Sequence, residues 1–588
     1  MINNHQGVIH IIILLALDNY SKLTVTQKVS GEGSCFLKFR NCDEFLGNYP
    51  TKTQNEIGNQ YLIITKMWRR TLLILLLVVC FGSLFGQSKI KCDLIELSQR
   101  AFDKSPIIKR SFYSIQSAEA NLQIQQGAFN ISSFSELALR NNRNNLFEAD
   151  PRNQFIDRIL NTNTINYSVG LQKRLRTGQL TAVSLNYGLN KNNFPFDSFN
   201  ENVGAYFGNH SSAISLSFTQ PLFRGKGRNI ATAFERVSHL YIENSKKYNE
   251  FTNSYELLQI GLAYWDYYTA YKSLEIYKQN EDRVRNVLSI TNELVRADKK
   301  PAGDVIQVNA DLANQEKLTI LAEQSLYQAR LNLGRVIGLN NEESILIDAP
   351  LNDFPTIEQS AYKNDLDKNT FIKIAKERRG DLKAVRKLAE ALDVQYKLAE
   401  NNVKPQLDLT GFASYGGVSM GNGFGEVFST LTNFQGRNTG IGARLTFSFP
   451  ISNDVAKGNL VKSNVAINDQ KVYNDNLLRN VELNISNSIN NLNNSVLALK
   501  KSEEALNYYK QVFKDEQVKF QTGLTTILNL ILFQERLTSA ELRYLQAYQQ
   551  FANSLIVLRH ETGTLISPEN NGFTIDRQSF YSIPNTDN

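Results

Sequence analysis

Cysteine is almost missing from this 588-residue chain, which has four: Cys35, Cys42, Cys80 and Cys92. Proline is sparse as well, and the stretches 222–300 and 451–567 contain none. No second apolar run follows the one at 71–81, so no later segment has the eighteen or more uninterrupted apolar residues of a spanning helix. That leaves a closed β-barrel as the way such a chain crosses a membrane. Histidine is rare: His5, His10, His210, His239 and His560 never pair at metal-ligand spacing, and each reads as structural or solvated. The net charge of +7 is mild for this length and forms no dense basic cluster, so nucleic-acid binding is not expected. Gly225–Gly227 lacks the spacing of a phosphate loop. Asp304 and Asp311 share a helix without a second acidic partner for acid–base work. The residues therefore point away from an enzyme, a metal or a cofactor.

What the chain does have begins at Met67. Met67-Trp-Arg-Arg, then TLLILLLVVCFGSLFGQ, gives a basic start, an apolar stretch and small residues before Gln87. This is the pattern of a secretory signal peptide over 67–86. Residues 1–66 are then expected to be a non-native upstream extension. Val79 and Phe81 flank Cys80 with bulk where a lipoprotein site wants small residues. Only Cys92 remains in the mature chain, so an internal disulfide is excluded and the exported protein must hold itself by packing or assembly.

The proline-free stretches read as rods. Ile214, Leu216 and Phe218 alternate with polar residues as in a half-exposed strand, and Pro221 and Gly225–Gly227 end it. A long helix follows as far as a turn at Ala297–Gly303, then a second helix from Asp304 to about Ile337. About 70 residues at ~1.5 Å each make a rod of roughly 105 Å. The same order returns after GIGARLTFSFPIS: a helix from about Asp454 to Gln521, a turn at Thr522–Thr525 and a helix ending near Glu561. Two copies of strand, long helix, turn and helix make an internal repeat.

Other alternating segments lie at Phe134–Arg140, Ile165–Leu171, Val183–Leu189 and Leu407–Ala413. Asn141–Asn163, Asn190–Ser211 and the Gly-rich Gly416–Arg437 read as long loops, and Arg176–Gly178 as a tight turn. Short turns at one end and long polar loops at the other are the layout of an outer-membrane barrel. Ile214, Leu216, Phe218, Ile441, Leu445, Phe447 and Phe449 are then expected to face lipid, and Arg444, Thr446 and Ser448 the lumen. Arg444 facing lipid at mid-membrane would cost ~2–4 kcal/mol.

Ile485, Leu492, Leu499, Leu506, Phe513 and Phe520 recur every seven residues, with Ile489 and Val496 between them, as a coiled-coil seam. Asn484, Asn487, Asn490, Asn491, Asn494, Lys501 and Lys510 occupy the opposite face. A solvated face explains these residues as well as a channel lining does. The domains expected are N-terminal helices at 87–130, strands and loops at 131–223, a helical hairpin at 224–338 and a connector at 339–376. A helix at 377–404, running to Pro405, a strand hairpin at 405–450, a second helical hairpin at 451–563 and a tail at 564–588 complete them. Six or so strands cannot close a barrel alone, so closure needs copies around an axis.

The junction SLSFTQPLFRG, DVIQVNADLANQE after the first tip, RRGDLKAVRKLAEA before PQLDLTG, and TGLTTILNLILFQERL at the second tip resemble the TolC-like outer-membrane efflux family over about residues 92–565. The resemblance implies an α+β membrane protein: a homotrimer whose outer-membrane β-barrel continues into a long periplasmic α-helical barrel. It implies outer-membrane lipid around the strands, with a periplasmic adaptor and an inner-membrane pump as partners. It implies passive export of small molecules, the alternatives being a type I protein-secretion duct or an exported coiled-coil scaffold. The family often carries acidic residues after the second tip, where this chain has Asn529 and Leu532. The candidate tip and aperture residues are Arg296, Lys299, Lys300, Asp304, Thr522, Gly523 and Asn529. Asp304 is equally a first-turn carboxylate complementing a helix N-terminus, worth ~0.3–1 kcal/mol. A solvated turn explains the three basic residues nearly as well as an adaptor contact does. The family usually supplies four strands per subunit, and this chain offers six. The hairpin Ile165–Leu189 either enlarges the barrel, which its short Arg-flanked turn favours, or folds as an extracellular elaboration. A size match to a twelve-helix tube favours the second, which is the expectation.

Overall fold

The computed structural model describes residues 89–154, 156–193, 208–363, 365–421, 423, 425–432, 437–569 and 572–585. The expected upstream extension and signal peptide lie outside these residues. The chain from Lys89 onward is one compact unit.

It opens with strand β1 (Ile90–Cys92), helix α1 (Leu94–Lys104) and helix α2 (Pro106–Gly127). Asp93 caps α1 by accepting from the Ile95 and Glu96 amides, and Ser105-Pro106 separates the two helices. Four strands follow: β2 (Ile131–Asn145), β3 (Ile159–Arg174), β4 (Leu180–Asn192) and β5 (Asn209–Pro221). After the single turn Arg228–Ala231 come α3 (Ala233–Arg296) and α4 (Gly303–Ile337).

The expected connector is not irregular throughout. It holds α5 (Asn341–Ile345), closed by a capping box between Asn340 and Glu343, and β6 (Ile347–Pro350), which pairs in parallel with β1. Helix α6 (Lys368–Arg378) begins inside it, and α7 (Gly380–Asn402) follows. The helix expected to run unbroken from 377 therefore breaks at Arg379. Next come β7 (Gln406–Met420), a short helix α8 (Gly425–Thr432) where a loop was expected, and β8 (Arg437–Ser448). Finally α9 (Asp454–Gln521) and α10 (Ile527–Glu561) repeat the long-then-short pairing of α3 and α4. The C-terminal residues, with the small hairpin β9 (Ser567–Glu569) and β10 (Gly572–Thr574), are not a loose tail. Phe580 is fully buried, and Arg559 donates to the Ser582 and Ile583 carbonyls.

The helices lie four abreast at two levels. On the sheet side of the connector the order is α2, α3, α7, α9; on the far side it is α4, α3, α10, α9. The 64 residues of α3 and 68 of α9 give rods of roughly 96 and 102 Å. The main core sits at the connector level, where Trp265, Tyr264, Tyr267, Leu257 and Ile260 of α3 meet Leu94, Leu97, Phe354 and Phe580. Among the described residues no helix is long and apolar enough to cross a membrane.

The heptad seam is where the sequence puts it. Ile485, Leu492 and Leu499 are buried against Phe551, Leu555 and Leu558 of α10, and Leu506, Phe513 and Phe520 against Ile527, Leu530 and Leu537. Phe112 of α2 is exposed.

Candidate functional site

Six strands form one antiparallel sheet in the order β2-β3-β4-β5-β7-β8. The hairpin expected outside the sheet is thus within it, β3 pairing with both β2 and β4 along nearly its whole length. The loops shrink accordingly, because residues 141–145 and 159–163 extend β2 and β3.

The register sorts the side chains onto two faces. One row across the sheet is Ser133, Leu171, Val183, Leu216, Ala413 and Ile441; the next row, on the opposite face, is Phe134, Gly170, Ser184, Ser215, Ser414 and Gly440. The first face is apolar along its middle, with Tyr167, Val169, Leu185, Ile214, Phe218, Leu409, Leu445 and Phe447 exposed or half-buried on it. Ile214, Leu216, Phe218, Ile441, Leu445 and Phe447 therefore share one face. Phe449 stands just past the end of β8 and is exposed. Arg444, Thr446 and Ser448 lie on the other face, which curves around a trough of about 590 Å³ lined by Asn166, Ser168, Asn186, Ser211, Ser414 and Gly416 among others. Two aromatic rings on the polar face lie flat over glycines. A Cβ on Gly170 would meet Phe134 at 2.7 Å, and one on Gly442 would meet Phe412 at 2.5 Å.

The end of the sheet where α2 and α3 attach is fastened to the helices. Arg176, in the β3–β4 turn, makes a bidentate pair with Glu235 at 2.9 and 3.0 Å and lies 5.0 Å over the Phe129 ring. The Arg176 bond holds the Glu235 carboxyl below its usual range. At the other end, α8 covers the polar patch of the apolar face. Thr430 bonds Ser212, while His210 bonds Tyr187 and the Gly421 carbonyl.

At the helical tips the candidate residues have different fates. Lys300 crosses from the α3–α4 turn to the other hairpin, donating to the Thr525 carbonyl at 2.9 Å and lying 5.0 Å over the Phe520 ring. It is engaged within the chain, whereas Arg296 and Lys299 are exposed. Asp304 lies in the first turn of α4. Thr522 bonds back to the Val518 carbonyl, Gly523 turns the chain at φ +79°, and Asn529 bonds Thr525. The nearby acidic group is Glu516, which sequence reading passed over. It bonds Thr525 and pairs with Lys519, and the Thr525 bond lowers its pKa.

A second feature hidden in the sequence is a buried polar belt between the two hairpins. Asn280 donates to Gln315 at 2.8 Å and accepts from Gln534 at 3.1 Å, and Arg283 grips Glu541 with both terminal nitrogens. Gln315 also donates to Asp311, whose pKa burial raises. Apart from the Gln315–Asp311 pair within α4, each partner lies on another helix, so nothing in the spacing of one long helix marks these residues. Among the described residues no three His, Cys, Asp or Glu side chains converge as a metal site.

Residues 371–564 match the family model described as outer membrane efflux protein. No characterised protein matches by sequence. Solved structures match by fold. The outer-membrane channel OprN has 14% identity and a TM-score of 0.58, over 80% of this chain and 90% of that one. The Campylobacter jejuni CmeC outer membrane channel has 13% identity and a TM-score of 0.56, over 80% and 85%. The Vibrio cholerae outer membrane protein VceC has 15% identity and a TM-score of 0.56, over 80% and 96%.

Proposed function

We propose that this chain, a TolC-like outer membrane efflux protein by its family match and its fold, is the passive outer-membrane duct of a tripartite export system. Three copies close around an axis. Their sheets form a barrel in the outer membrane, and their helices form a tube through the periplasm. An inner-membrane pump and a periplasmic adaptor deliver small molecules to the helical tips. Transport needs no chemistry from this chain, and it acts as a channel rather than an enzyme. The twofold order of strand, long helix and 35-residue helix is read as a duplication.

The observation that carries this reading is the two-faced sheet joined to helices four abreast. An apolar face across all six strands is stable toward lipid, and the Asn-, Ser- and Gly-rich trough behind it is stable toward water. A scaffold of helices alone has no use for such a sheet. Ile214, Leu216, Phe218, Ile441, Leu445, Phe447 and Phe449 are the lipid contacts in this reading, and Arg444, Thr446 and Ser448 face the lumen. Arg296 and Lys299 remain available to an adaptor.

Leu216 and Ser217 are neighbours near the middle of β5 on opposite faces. A cationic side chain facing lipid at mid-membrane costs ~2–4 kcal/mol, and one facing a wet lumen costs little. Leu216→Arg is expected to abolish the carbonate-resistant envelope fraction, while Ser217→Arg leaves it intact. Equal recovery of both variants would reject the assignment of the faces.

A further inference from the structure

We infer that the membrane ring of this protein contains eighteen strands, all six from each of three copies, and is as wide as the helical tube beneath it. This rests on the duct reading above and adds the size and character of its membrane pore.

The strand order decides which strands enter the ring. Among the described residues of this sheet only β2 and β8 have a free edge, and β3 and β4 lie between β2 and β5. Closure through those two edges cannot leave β3 and β4 out unless the pairings of β2 with β3 and of β4 with β5 are both broken. An even number of antiparallel strands also keeps the alternation intact where β8 of one copy meets β2 of the next.

The β3–β4 hairpin is built as a membrane element. Val169, Leu171, Val183 and Leu185 continue the apolar face in phase with Ile214 and Leu216, and Asn166, Ser168, Ser184 and Asn186 continue the polar one. Its turn is seated on the junction between sheet and helices by the Arg176–Glu235 pair. Gly178 in that turn has φ +93°, and a Cβ there would meet the Gly225 carbonyl at 2.6 Å. A hairpin standing outside the membrane would need neither the apolar phase nor this seat.

The arcs match. Strands ~4.8 Å apart and tilted by ~40° each take roughly 6.3 Å of circumference, so six span roughly 38 Å. Four helices abreast, at ~8–10 Å between axes, span roughly 32–40 Å. Four strands would span only roughly 25 Å. The width of the helical tube therefore accommodates six strands per copy and does not exclude the hairpin, contrary to the expectation. Eighteen strands give a ring of roughly 36 Å between opposite backbones. The polar rows beneath it are mostly Asn, Ser, Thr and Gly. Such a mouth is wide and nearly neutral, and it leaves any sorting of cargo to the helical tips.

The test is electron cryo-microscopy of the full-length oligomer extracted from the envelope in detergent, with copies counted by native mass spectrometry. Three copies around an eighteen-stranded ring are expected. Three copies around a smaller ring, with residues 159–192 folded outside it, would overturn the inference and leave the duct reading standing. A two-copy ring of twelve strands would overturn the inferred width. A particle with no strand ring would overturn the duct reading and the inference with it.

Discussion

His560 shows what burial does to a single residue here. It lies at the end of α10, bonded to Ser254 of α3 and flanked by the Phe251 and Tyr255 rings. Burial, with the Arg379 charge beside it, pushes its pKa down to about 4. Asp381 opposes that shift, and Glu561 pairs with the same Arg379. The unfolded imidazole titrates near ~6.5. Between these values the unfolded chain binds the extra proton, so stability is full above ~6.5 and falls as the pH drops toward 4. The effect is on the order of 3 kcal/mol per chain at most. The heat resistance of the extracted oligomer is expected to fall over this window and to fall less steeply in His560→Asn. An unchanged slope would assign the acid sensitivity to other groups. Arg379 itself is buried between Asp381 and Glu561 and lies 5.4 Å over the Phe251 ring. The helix breaks beside it at Gly380, where a Cβ would strike the Lys247 carbonyl at 2.5 Å.

Among the elements, α9 is the most fully written in the sequence. Leu499 is 2% exposed in the seam against α10, and Asn491 points away from it, exposed. Leu499→Asp is expected to unfold this hairpin locally and cost roughly 3 kcal/mol or more, since it buries an unpaired charge; Asn491→Asp is expected to be nearly neutral. Proteolysis of the extracted protein near the second tip distinguishes them, and equal resistance would contradict the seam. The ends of the long helices were legible because proline and glycine punctuate so little of the chain. The strand ends were not. Asn141–Asn145 and Asn161–Asn163 are polar on both faces, so the period-two signal vanishes while the backbone pairing continues. The break at Arg379 was hidden because its cause is the approach of α3, not a local residue preference. The same holds at the tips: Lys300 reads as a free cation until Thr525 and Phe520 of the other hairpin are placed beside it.

At the scale of the molecule, one long edge carries β2, α2 and α4, and the other carries β8 and α9. Each edge has an apolar line that is left exposed among the described residues. On α9 it is Val461, Val465, Val472, Leu483, Leu497 and Tyr508, each at least 59% exposed. Their steps of 4, 7, 11, 14 and 11 residues all fall close to whole turns, so they form one straight stripe. On the opposite edge are Tyr113 and Ile124 of α2 and Ile306, Ile320 and Tyr327 of α4. The free strand edges continue both lines, so a second copy laid alongside satisfies sheet and helices together. Leu497 and Leu499 separate the two roles of α9, since they lie two residues apart and only Leu499 is covered within the chain. Burying a leucine fully is worth ~1.5–3 kcal/mol, and the proposed trimer would repeat the contact at three interfaces. Leu497→Asp is therefore expected to keep the helical content of the protomer and its protease resistance while shifting the extracted protein from trimer to monomer. Ile320→Asp, on the other edge, is expected to do the same. Native mass spectrometry with circular dichroism reads both properties. Intact trimers from both variants would show that these stripes do not meet in the assembly.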